Sequence, residues 1–125
     1  MADPLQIELV AADRVVWSGQ ASEVLARTVE GDLGVLADHA PLLSLLVPSV
    51  VVITPLEGDE VYAAISEGFI SVANNRVSIL SEDAFLADEI DAAAAQSELE
   101  AAQESDDADG ILRAEAKLHV VDKAS

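Results

Sequence analysis

Asp38, His39 and Ser44 are the residues whose types could do chemistry together, since an imidazole, a carboxylate and a hydroxyl make up a nucleophilic triad. Their spacing works against it. Neighbours in an extended chain point to opposite sides, so Asp38 cannot readily orient His39, and no Gly-x-Ser-x-Gly elbow is present. The two histidines, His39 and His119, fall in different elements, and no His-x-x-x-His pair lies on a helix to hold a metal. Residues 105–110 are acidic but lack the length and terminal Glu of an EF-hand loop, so they read as a solvated turn. No Gly-x-x-x-x-Gly-Lys-Ser/Thr loop is available for a phosphate. The expectation is therefore no catalytic residue, no metal and no cofactor. Trp17, following Val15 and Val16, reads as a core or domain-edge aromatic and not as a stacking platform.

Positioning these side chains falls to the stretch Gly31-Asp32-Leu33-Gly34-Val35-Leu36-Ala37-Asp38-His39-Ala40-Pro41-Leu42-Leu43-Ser44. Two glycines three apart, an apolar pair, a polar Asp-His step and a proline describe a tight reversal, a brief strand and an exposed polar knuckle. Around it, from residue 5 to residue 81, the apolar period is two, as in Leu5, Ile7 and Leu9 against Gln6 and Glu8. Short strands are predicted over 5–10, 15–17, 23–29, 50–54, 61–65, 69–73 and 77–80. Breakers fall at Asp13, Gly19, Gly31, Pro48, residues 57–59, Gly68 and Asn74-Asn75, with Glu67-Gly68 read as a turn or bulge. Strands this short and turns this frequent favour a sandwich or barrel over a parallel α/β sheet.

Near Leu86 the period changes. Asp88, Glu89 and Asp91 are placed in a first helical turn, where free amide groups favour negative charge, and Ala92 to Ala95 propagate the helix. After an acidic turn in which Asp107 or Asp109 can cap, a second helix puts Ile111, Ala114, Leu118 and Val121 on one face. On the first helix the packing stripe is expected to be Leu86, Ile90, Ala93 and Ala101, with Leu99 pointing elsewhere. The fold expected is thus mainly β with α: an antiparallel β-sandwich over 1–86, then a two-helix hairpin over 87–125 that is marginal by itself.

Composition narrows the function. At 125 residues there is room for one core and an appendage. Twenty-four acids against six bases give a net charge of −18 and no basic face for nucleic acid or anionic lipid. With no cysteine there is neither disulfide frame nor thiolate site. The start Met1-Ala2-Asp3-Pro4 lacks a secretion signature. The longest uncharged run, residues 40–56, holds three prolines and is shorter than a bilayer span of roughly 20 residues. A cytosolic or peripheral protein without membrane insertion is expected.

The residue 31–44 stretch also resembles the most recognisable segment of the epsilon subunit of F-type ATP synthases, with Ala37 and Asp38 where that family usually carries Pro and Gly. The likeness continues in residues 5–10, in Val16-Trp17-Ser18-Gly19, in residues 66–72 and in residues 77–82, in matching order over nearly the whole chain. It implies a sandwich followed by two helices, and a non-catalytic role in the central stalk, joining gamma to the ring of c subunits at the cytoplasmic face of the membrane. It also implies that Asp32 and His39, supported by Leu33 and Ala40, face the ring. In some members the hairpin extends into the alpha/beta catalytic head and inhibits hydrolysis. Here Arg113, Lys117 and Lys123 are the cations available for that, among eleven acids in residues 87–125, so the contact would be repulsive on balance. In other members an Ile-Asp-x-x-Arg-Ala motif binds ATP. This chain has Asp91 but Ala94 in the arginine's place, so weak or no ATP binding is expected. The rival reading is a free-standing β-sandwich module for a small ligand.

Overall fold

The computed structural model describes residues 3–124; Met1, Ala2 and Ser125, at the ends of the two expected domain spans, lie outside the described residues. The strands are β1 (Leu5–Ala11), β2 (Arg14–Thr28), β3 (Gly31–Leu36), β4 (Leu42–Leu46), β5 (Ser49–Pro55), β6 (Val61–Ile65), β7 (Gly68–Ala73), β8 (Arg76–Ser81) and β9 (Ala84–Leu86). A 3-10 turn (Ala87–Glu89) leads into helices α1 (Ala92–Glu104) and α2 (Ala108–Ala124). The N-terminal β-sandwich and C-terminal helix pair follow from the change of apolar period near Leu86. Two strands, β4 and β9, are not among those predicted: β4 carries leucine on both faces and so shows no alternation, and β9 is only three residues long.

β2 turns one hydrogen-bonded sheet into two layers. Its first half pairs with β1, Leu9 standing opposite Trp17; its second half lies between β3 and β5, Val24 opposite both Val35 and Ile53. A register shift between Ala21 and Glu23 marks the crossing. The break expected at Gly19 is absent, and residues 14–28 form one strand. Gly19 serves space instead: a Cβ there would lie 3.0 Å from Cη2 of Trp17, whose ring packs against the core edge.

One layer runs β4-β7-β8-β1 into β2, and the other runs from β2 through β5 and β6 to β9, with β3 paired to β2. The sandwich is not wholly antiparallel, because β1 and β8 pair in parallel, Leu9 opposite Ile79. Alternation has the same period in either sense, so strands remote in sequence do not reveal their relative direction. Between the layers, Leu5, Leu9, Val24, Val35, Val51, Ile53, Ile70, Val72, Val77 and Ile79 are essentially closed to solvent. Gly68 opens β7 where the backbone of β8 comes so close that a Cβ would lie 1.9 Å from the carbonyl oxygen of Leu80. Beside it, buried Ser66 and Ser81 share a hydrogen bond (3.2 Å), and the Ser81 hydroxyl is 2.7 Å from the Asp83 carbonyl, fixing the β6–β7 and β8–β9 turns to each other.

α2 lies on β5 and β6, and α1 packs on α2. Asp91 caps α1, its carboxylate accepting from the amides of Ala93 and Ala94, and Asp107 accepts from the Gly110 amide at the start of α2. Asp88 and Glu89 are in the separate 3-10 turn and not in the first turn of α1. The packing stripe of α1 is Ala95, Leu99 and Ala102, while Ala93 and Ala101 are exposed. Six alanines spread around α1 leave no dominant apolar direction to read. On α2, Ala114 is buried as expected, but Ala116 and Val120 make the seat against Ala64, with Ile111, Leu118 and Val121 half-buried.

Candidate functional site

The triad dissolves in three dimensions. The Asp38 carboxylate is 3.3 Å from Nδ2 of Asn75, the His39 ring Nδ1 donates to the Ala40 carbonyl at 2.6 Å, and Ser44 sits within β4 opposite Ile70. A carbonyl can only accept, so Nδ1 carries the proton and Nε2 is left for other partners.

Asp32 lies at the start of β3, exposed, its carboxylate 2.8 Å from Nε of Arg27 across the β2–β3 hairpin. Leu33, next to it, is half-buried against the core. His39 and Ala40 lie beyond the other end of the strand, after Leu36. Four steps of strand, or roughly 13 Å, separate Asp32 from Leu36, so the polar corner has two poles. Asp38 has φ +65°, in the left-handed region that favours glycine but admits Asp. Its amide donates to Oδ1 of Asn75 at 2.6 Å, and Asn75 itself has φ +61°.

The outer face of the β4-β7-β8-β1-β2 layer carries an apolar row. By register Leu45 stands opposite Phe69, Phe69 opposite Leu80, Leu80 opposite Val10, and Val10 opposite Val15. Exposure is 59 % at Leu45, 42 % at Phe69, 41 % at Leu80 and 56 % at Val15, and neighbouring Leu43 reaches 73 %. Sequence reading missed this row. Each member is one apolar residue in a different strand, and only the pairing aligns them.

Two of the three expected head-contacting cations are engaged within the fold. Arg113 reaches Glu67 on the β6–β7 connection at 2.7 Å and Asp107 at 3.8 Å. Lys117 pairs with Glu98 of α1 at 2.9 Å and lies 5.0 Å from the centre of the Phe85 ring. Lys123 is exposed in the last turn of α2. Arg14 ties the β1–β2 turn to the linker, bonding the Ala84 carbonyl (3.1 Å) and Glu89 (2.7 Å). That guanidinium, and secondarily the Leu86 amide, hold the Glu89 carboxyl below its ordinary range. A cleft of about 360 Å³ between hairpin and sandwich is lined by Ser66, Asp83, Phe85, Glu98, Arg113 and Lys117. Ala94 and the capping Asp91 edge a smaller recess of about 200 Å³. Among the described residues no cluster of His, Cys, Asp and Glu is set to hold a metal, and no helix is long and apolar enough to cross a membrane.

Residues 4–87 match the family model for the ATP synthase delta/epsilon chain β-sandwich domain. The chain is 51 % identical over 121 residues to an ATP synthase epsilon chain of Streptomyces avermitilis, covering 97 % of this chain and 98 % of that one. A Corynebacterium diphtheriae epsilon chain is 48 % identical over 122 residues, covering 97 % and 95 %. Among solved structures, a chain of the Euglena gracilis mitochondrial ATP synthase OSCP/F1/c-ring assembly aligns with TM-score 0.73 and 25 % identity over 97 % of this chain and 79 % of its own. A chain of the Tetrahymena thermophila ATP synthase central stalk and c-ring (TM-score 0.59, 16 % identity, 98 % and 97 % covered) shares the fold. Sandwich, helix pair and relatives agree in order and extent, and the chain belongs to the epsilon-chain family of ATP synthases.

Proposed function

We propose that the chain is a non-catalytic central-stalk subunit, coupling rotation of the c-ring to the catalytic head through gamma during proton-driven ATP synthesis, as a peripheral component at the cytoplasmic face of the cell membrane. The observation that carries this reading is the exposed row from Leu45 to Val15, an apolar face of the kind that marks a protein interface. Gamma is the occupant this reading assigns to the row. The ring is assigned to Asp32, Leu33, His39 and Ala40, with the Arg27–Asp32 pair and Nε2 of His39 as its polar partners. Co-purification from membranes tests the assignment: gamma and the ring should come down with the wild-type chain, and Phe69→Glu should lose gamma. A chain that leaves both behind would be a free-standing ligand module.

The hairpin is a weak brake at most. Arg113 and Lys117 would have to leave Glu67 and Glu98 before meeting the alpha/beta head, and the acids around them oppose an acidic partner. Deleting residues 87–125 should raise ATP hydrolysis by the assembled enzyme only modestly. Without an arginine at position 94, ATP has no guanidinium fork to bind, and calorimetry on the isolated chain should find no micromolar site.

A further inference from the structure

The polar knuckle bearing His39 is held from outside its own loop. Asn75, in the turn between β7 and β8, accepts the Asp38 amide at 2.6 Å and lies with Nδ2 3.3 Å from the Asp38 carboxylate. Its carbonyl accepts the Gln6 amide at 2.7 Å, so the anchor is itself fixed to β1. Both Asp38 and Asn75 are in the left-handed region, where a side-chain residue persists only if its surroundings hold it. Asn74 is also left-handed (φ +52°), but the side chain that reaches the Asp38 loop is that of Asn75. We propose that Asn75 is the positioning residue of the partner-facing loop: through a reciprocal clamp with Asp38 it sets where His39 and Ala40 present themselves. This rests on the reading of that loop as a rotor contact.

Glycine at 75 keeps the turn and removes only the clamp, so Asn75→Gly should speed hydrogen exchange at the Asp38 amide about tenfold, while Asn74→Gly leaves it unchanged. Asn75→Asp sets one carboxylate against another and should loosen the loop as well. The exchange Asp38→Asn with Asn75→Asp rebuilds an amide–carboxylate pair of the same net charge and should restore slow exchange, which a merely structural loss would not. Rebinding to ATP synthase depleted of its epsilon chain should weaken about tenfold in Asn75→Gly and recover in the exchanged pair. Unchanged exchange in Asn75→Gly, failure of the exchanged pair to restore it, or loosening without loss of rebinding would overturn the proposal. Failure of the wild-type chain to rebind counts against the rotor reading, whereas exchange in the isolated chain tests the clamp.

Discussion

The sandwich and the helix pair draw on similar apolar fractions but spend them differently. In the sandwich, β-branched and leucine side chains from both layers meet in a closed interior, from Leu5 and Leu9 to Ile53 and Ile79. In the hairpin, the residues closed to solvent are Ala95, Ala102, Ala114, Ala116 and Val120, and only the last brings a sizeable side chain. Burial stabilises in proportion to the area removed from water, so one half is self-sufficient and the other is held by a small apolar seat and a few ion pairs. Small residues let helices approach closely but give little energy on doing so. The helix pair should therefore loosen before the sandwich does.

The comparison can be broken first at its strong side. Ile53→Ala or Ile70→Ala should cost about 2–5 kcal/mol of global stability, read by denaturant unfolding. Val120→Ala should cost about 1–2 kcal/mol by lost methyl groups, appearing as faster hydrogen exchange in α1 and α2 with the sandwich transition unmoved. A fall in sandwich stability equal to that of Ile53→Ala would mean the two halves unfold as one. Glu67→Gln removes a half-exposed ion pair worth about 0–1 kcal/mol, so it should loosen the helices slightly. Acidification should have the smallest effect. Glu89 is held below the ordinary carboxylate value of 4.5, so its contribution is complete above that pH and lost as pH falls through its lowered value. Glu89→Gln should flatten the part of the acid limb that lies below about pH 4.5 in thermal melts.

Much of this contrast was legible beforehand, because alternation along β1 and β8, the short apolar runs of β5 and β6, and the switch to alanine and acid after Leu86 are local signals. What the chain hid were contacts that only the fold makes, some near in sequence and some far. Gly19 looks like a breaker until Trp17 is seen lying over it, and β1–β8 has no local mark of being parallel. The packing phase of α1 could not be read from a helix with alanine on every side. At the candidate site, Asp32 and His39 are proposed from the resemblance of the stretch that holds them. Arg27, Asn75, Glu67 and the row through Phe69 required the fold, since each acquires meaning only from a partner elsewhere in the chain, 46 residues away for the Glu67–Arg113 pair. The two glycine-like positions Asp38 and Asn75 showed themselves as turn residues but not as each other's partners.

The central claim is that this sandwich transmits rotation through surfaces it exposes and performs no chemistry. Its most direct test is ATP-driven proton pumping by ATP synthase depleted of its epsilon chain and reconstituted with wild-type, Phe69→Glu or Asp32→Ala/His39→Ala protein, with hydrolysis measured alongside. Wild-type chain should restore pumping for each ATP hydrolysed, and both variants should restore substantially less while keeping the folded core's unfolding transition. Full pumping with both variants, at wild-type concentrations, would contradict the account.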